Sequence, residues 1–122
     1  MQAILIKTNN EVIIGDFTFE QMRNQFKSGY AEAVKPKKLD RRFFMVIDDE
    51  GLLNGSPQNI VGCYLYETEK HGSPIVGDIF ICADAGGDFG SLSNGDAQKL
   101  KKIADEVISN SAINGSTLNW KR

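Results

Sequence analysis

The chain has 122 residues, 41% hydrophobic and 25% charged, with a formal net charge of −2 at pH 7. That length suits one α+β domain over residues 1–122, able to bury about two thirds of its unfolded surface, so a core needs neither metal nor disulfide. The small charge excludes bulk attraction to polyanions, which makes nucleic acid an unexpected partner. Cys63 and Cys82 are too few for a disulfide framework.

The first seven residues hold only a short apolar run, too short for a signal peptide or a membrane span. A reducing cytoplasm and no membrane partner are therefore expected. Residues 3–7 and 11–15 read as two strands joined at Asn9-Asn10, since asparagine tolerates the left-handed turn conformation. Thr18 and Gln21 form a capping box, with Phe17 and Met22 as its hydrophobic staple. Phe19, Met22 and Phe26 share one helical face, and Gly29 is placed to stop the helix. Residues 30–34 alternate like an edge strand ended by Pro36, and residues 43–47, FFMVI, form a stronger one. Asp48-Asp49-Glu50-Gly51 is a turn and residues 52–58 a loop. Asn59 is placed to cap a short helix over residues 60–65, although periodicity allows a strand through 59–66 as well. A polar connection, residues 67–72, leads past Pro74 to a β-branched and aromatic strand from Ile75 to Ile81 whose composition fits burial on both faces.

Gly86, Gly87 and Gly90 then interrupt regular structure, and Ser93 with Asp96 signals the last helix. Leu100, Ile103, Ala104, Val107 and Ile108 form its apolar stripe, and a tail carries Trp120. The order ββαββ(α)βα predicts an α+β fold, a mostly antiparallel sheet with two main helices packed on one face.

Several of these segments carry a resemblance. Asp48-Asp49-Glu50-Gly51, Pro57 with Asn59, and Ile75-Val76-Gly77-Asp78 resemble a small domain of unknown function, number three-eight-four-six in that naming scheme. That family is carried by phages and mobile elements of Gram-positive bacteria. The similarity takes in Ala3-Ile4-Leu5-Ile6 and Phe89-Gly90-Ser91-Leu92 as well, and so spans most of the chain. Two positions depart from the pattern: Ser56 stands where an apolar residue is usual, and Gly62 where alanine is. The resemblance implies a cytoplasmic accessory protein of a mobile element, with no reaction, catalytic residue or cofactor attached.

The candidate chemistry is thin. Residues 85–90, AGGDFG, echo a phosphate loop, but Asp84 and Asp88 would repel an anion and no Gly-Lys-Ser/Thr follows, so a chain-reversing turn fits better. The carboxylates at 48–50 sit on consecutive turn positions that point apart, and Asp84 with Asp88 lacks a calcium-loop pattern, so no metal is expected. Cys63 and His71 as nucleophile and base compete with a plain packing cysteine and a loop histidine. The sharpest polar feature is residues 35–42, KPKKLDRR, with five basic residues in eight. A solvated loop explains it. Phosphate recognition explains it too, because guanidinium forks and ammonium groups suit phosphates and an aromatic can stack on a base.

The expectation is a non-enzymatic binding protein of a phage or mobile element, a host-defence antagonist that sequesters a nucleotide-like small molecule. The expected ligand-binding residues are Lys37, Arg41, Arg42, Phe44, Asn59, Tyr64 and Tyr66. The alternatives are a protein–protein inhibitor or adaptor acting on a host protein through the edge at residues 30–34, and, last, a small-substrate enzyme. The edge strand and Trp120 add an expected homodimer.

Overall fold

A computed structural model describes residues 1–114. In chain order it contains β1 (Gln2–Ile6), β2 (Val12–Asp16), α1 (Phe19–Gln25), β3 (Ala31–Val34), β4 (Phe43–Asp48), α2 (Ile60–Tyr66), α3 (Thr68–His71), β5 (Ile79–Ala85), β6 (Asp88–Gly90) and α4 (Asn94–Asn114). The fold is α+β. Its strands make one open antiparallel sheet in the order β2-β1-β5-β4-β3, with β6 paired to β5. The expected tail with Trp120 lies outside the described residues.

Side chains alternate across a strand, so the apolar run of β5 supplies two faces at once. Ile79 and Ile81 join Ile4, Ile6 and Met45 in a core with Val61 and Leu65 of α2 and Leu100 and Ala104 of α4. Phe80 and Cys82 join Ala3, Leu5 and Val46 on the opposite face, under Met22 and Phe26. The helices therefore do not share a face: α1 lies across the sheet from α4, which corrects the predicted packing. The reason is the doubly apolar strand, because two helices on one side would leave Phe80 in water. Phe17 meets the Phe80 ring edge-on at 5.1 Å and brings the chain to that side as it leaves β2.

Local chemistry accounts for most element ends. The Thr18–Gln21 capping box forms in both directions, and Ser93 accepts from the Asp96 N–H at the start of α4. Asn10, with φ of 74°, turns the first hairpin. The helix α1 stops at Gln25, a turn earlier than Gly29 suggests, because Phe26 goes extended and packs against Phe80 at 5.8 Å. Residues 60–66 are helical. The polar connection holds the short α3, and β5 begins later than predicted, after a loop tied by a single bridge between Gln58 and Val76. The glycine-rich stretch is a hairpin turn: Gly86 and Gly87 have φ of 70° and 98°, left-handed values that suit glycine, and they lead into β6.

Asn59 fastens α2 to the sheet and is fully buried. Its amide nitrogen donates to the Ile6 carbonyl at 2.9 Å and the Gly77 carbonyl at 3.0 Å, while its oxygen accepts from the Gly62 N–H at 3.0 Å. Gly62 itself sits where a Cβ would stand 2.6 Å from the Ile75 side chain, so α2 approaches that loop closer than alanine allows without a shift. Replacing Asn59 with alanine strands one donor and two carbonyls in the interior. It is expected to cost roughly 3 kcal/mol and lower the melting midpoint by about 10 °C; an unchanged thermal melt would show that the amide does not hold α2.

Candidate functional site

The edge strand β3 ends the sheet, and its outer side pairs with no strand among the described residues. Its register sets Glu32 opposite Ile47 and Val34 opposite Met45, so Glu32 and Val34 look to the face that carries α2 and α4. The long helix α4 contacts β1 and β2 at the far side of the sheet. Near β3 that leaves a groove of about 360 Å³. Val34, Ile47, Tyr66, Ile75 and Val76 contribute its apolar surface, the segment 49–53 its other wall, and Glu32, Asp49 and Glu50 its acidic groups. Leu52 is 62% exposed and Leu53 86% exposed, and Tyr30 beside the strand is 61% exposed. Large aliphatic side chains so open to water, next to an unpaired strand edge, are the strongest indication of a contact surface on the described chain.

One buried carboxylate shapes that wall. Asp48 accepts from the Ser28 hydroxyl, from the Ser28 and Glu50 backbone N–H groups, the latter at 2.9 Å, and from the Asn54 side-chain amide at 3.0 Å. Burial pushes its carboxyl up, but the hydrogen bonds from Ser28, Glu50 and Asn54 outweigh it and hold the group below the ordinary carboxylate value. Asp48 thus ties the turn after α1 to the start of the 49–54 segment. Gly51 is pressed there against Val76, where a Cβ would lie 2.7 Å from the valine side chain.

The residues expected to bind a ligand do not converge. Asn59 is committed to the core, as described above, which corrects its reading as a base-recognising group. Phe44 points to the α1 side of the sheet, T-shaped to Phe89 at 5.5 Å, with the Lys35 ammonium 4.7 Å from its ring centre. Lys35 in turn pairs with Asp84 and donates to the Arg41 carbonyl. Arg42 lies on the other side, over Phe43 at 4.8 Å, paired with Asp40 at 3.3 Å and Asp96 at 3.2 Å. Lys37 and Arg41 are exposed. Tyr64 stacks under the Lys38 ammonium at 4.1 Å, and Tyr66 lines the β3 groove. A cleft of about 150 Å³ does open between the basic segment and α4, with Lys38, Arg42 and Lys99 around an apolar floor of Leu39, Phe43, Val61 and Leu65. It is smaller than the roughly 300 Å³ and upward of ordinary ligand pockets.

Reactive side chains are occupied as well. The Cys63 sulfur exchanges hydrogen bonds with the Ile75 backbone at 3.3 Å, and burial pushes the Cys82 thiol up to about 11. The reading of His71 as a base concerns a side chain outside the described residues. Asp84 accepts from Lys35 and from the Gly87 N–H, which hold it below the ordinary value. Among the described residues no three His, Cys, Asp or Glu side chains gather as metal ligands, and no helix is long and apolar enough to cross a membrane. Sequence reasoning missed Glu32, Asp49, Glu50, Leu52 and Leu53 as neighbours. The available signal was Leu52-Leu53 inside a loop, two aliphatics with no strand or helix to bury them.

Fold and surface together define a small α+β protein whose β3 edge no strand pairs with among the described residues. The chain belongs to the family described as Domain of unknown function (DUF3846), whose model matches residues 1–105. No curated protein and no solved structure matches the chain.

The Asp48 network carries a pH prediction with a fixed sign. Its folded carboxyl holds protons less tightly than the unfolded one, so acid favours the unfolded chain. The stabilisation is full above the ordinary carboxylate value of about 4 and is lost as pH falls through the lower folded value. Urea midpoints measured from neutral pH into acid should fall, and Asp48→Asn should start lower at neutral pH and fall less steeply. Parallel acid limbs would show that Asp48 contributes nothing to them.

Proposed function

We propose that this chain is a non-enzymatic accessory protein that acts by holding another protein at the β3 edge, as an inhibitor or adaptor. The observation that carries the reading is the unpaired β3 strand beside an apolar groove whose Leu52 and Leu53 are open to water. A partner strand there would gain main-chain hydrogen bonds from the edge and side-chain contacts from the groove. The phage and mobile-element setting implied by the resemblance makes a host defence protein the fitting target, met in the host cytoplasm.

Sequestration of a nucleotide-like molecule is the second reading. The cleft of about 150 Å³ at Lys38, Arg42 and Lys99 favours it, since its apolar floor and cationic rim suit part of such a ligand. Against it, Asp40 and Asp96 already engage Arg42. A nucleotide that raised the melting midpoint of the wild type but not of Arg42→Ala would favour this reading, because binding to the folded state alone stabilises it.

The first reading is tested with the double variant Leu52→Asp/Leu53→Asp, whose exposed positions should leave stability within about 0.5 kcal/mol. The wild type should retain one specific host protein, and amides 31–34 should exchange more slowly in that complex. The variant should lose the partner. Retention by the variant, with β3 amides exchanging at their free rates, would refute the proposal.

A further inference from the structure

The groove beside β3 has a charge character that narrows its occupant. Glu32, Asp49 and Glu50 all line it and all are exposed. None of the three belongs to an ion pair among the described residues, where the ion pairs engage Asp16, Glu11, Asp84, Glu67, Asp40, Asp96 and Asp105 instead. Asp48 also borders the groove but is saturated by Ser28, Glu50 and Asn54. Three like charges around one apolar groove repel each other, and a cation placed among them relieves that repulsion as it binds.

The strand register says where such a cation would sit. Glu32 and Val34 are two residues apart and share a face, roughly 7 Å from each other along the strand. A strand added to β3 would place its own same-face residues beside them at the same spacing. We infer that the segment taken by this edge is an extended protein strand in which residues facing the groove alternate between lysine or arginine, set against Glu32, Asp49 and Glu50, and an aliphatic residue, set against Val34 and Leu52. This rests on the reading of the β3 edge as the binding surface. A second copy of this chain fits less well in one respect: antiparallel pairing of two β3 strands would add the acidic residues of one groove to those of the other.

Three synthetic peptides of about ten residues, long enough for one strand, test the inference. Every second residue, the set that faces the groove, alternates between valine and lysine in the first, valine and glutamine in the second, and valine and glutamate in the third, with threonine at the intervening positions. The lysine peptide should bind at least about tenfold more tightly than the glutamine peptide by fluorescence anisotropy, should weaken as salt is added, and should slow exchange of the β3 amides. Glu32→Lys/Glu50→Lys, at two exposed positions, should reverse the preference toward the glutamate peptide with an unchanged melting midpoint. Equal binding of all three peptides with β3 protection would overturn the charge inference while upholding the edge. Protection by none of the three would overturn the inference and leave the Leu52/Leu53 partner test to decide the edge itself. Light scattering at twice the 13.5 kDa monomer mass, with β3 amides protected in the dimer, would assign the edge to a second copy and overturn it as well.

Discussion

Ile79, Phe80, Ile81 and Cys82 are each at most 1% exposed, so the middle of the sheet needs a layer on each face and a partner on each side. The chain meets that demand with few residues. The strands β1 and β4 take the two sides of β5, and β6 continues the pairing where β1 begins: Gly90 lies opposite Ala83, and the Leu92 N–H donates to the Gln2 carbonyl. One face receives α2 and α4, the other the short α1 with Phe17 and Phe89. At roughly 1.5–3 kcal/mol for each large apolar side chain removed from water, these four positions and their neighbours outweigh any surface interaction in the molecule. Where the remaining elements run is a consequence of covering them.

The same economy explains why the surface of interest is at β3. The helix α4 reaches β1 and β2, and α2 is anchored by Asn59 to the Ile6 carbonyl, so the helical layer is drawn toward the β1 side. At the opposite end of that face the groove is bordered, among the described residues, by Tyr66, the 73–76 segment and the 49–53 wall. That wall is fixed from below by Asp48, whose hydrogen bonds are satisfied in the interior while Asp49 and Glu50 project into solvent. Three successive acidic residues therefore divide between two jobs. One carboxylate organises the turn, and the next two set the charge of the groove.

Much of the fold was legible in the residues. Thr18 with Gln21 and Ser93 with Asp96 name their caps because the donor and acceptor are local, and the β-branched run through Ile81 shows burial on both faces by composition alone. The face on which α1 packs was not legible, since local patterning gives a helix its apolar side without saying which sheet face it meets. The end of α1 was misread for a related reason: Gly29 is a good stop, but Phe26 leaves the helix earlier to reach Phe80, a contact between residues distant in sequence. For the site, the basic segment 35–42 was conspicuous and proved locally committed, with Lys35, Lys38 and Arg42 held by Asp84, Tyr64, Asp40 and Asp96. Glu32 and Glu50 could not be joined by eye, because their proximity depends on the β3–β4 register.

Side chains that carry chemistry in other proteins are here mostly turned to holding the chain together. The amide of Asn59, the sulfur of Cys63, the carboxylates of Asp48 and Asp84 and the guanidinium of Arg42 each have partners within this molecule. Moving any of them toward a ligand would first break an internal hydrogen bond or ion pair. The Glu32, Asp49 and Glu50 carboxylates and the Leu52 and Leu53 side chains face no such cost, since no ion pair or core contact engages them among the described residues. Free energy for association is most available where the fold has left polar groups hydrated and apolar groups wet, because only those groups gain on contact. In this protein both kinds meet along one strand edge, and that coincidence, more than any single residue, is what makes the edge a place to look for a partner.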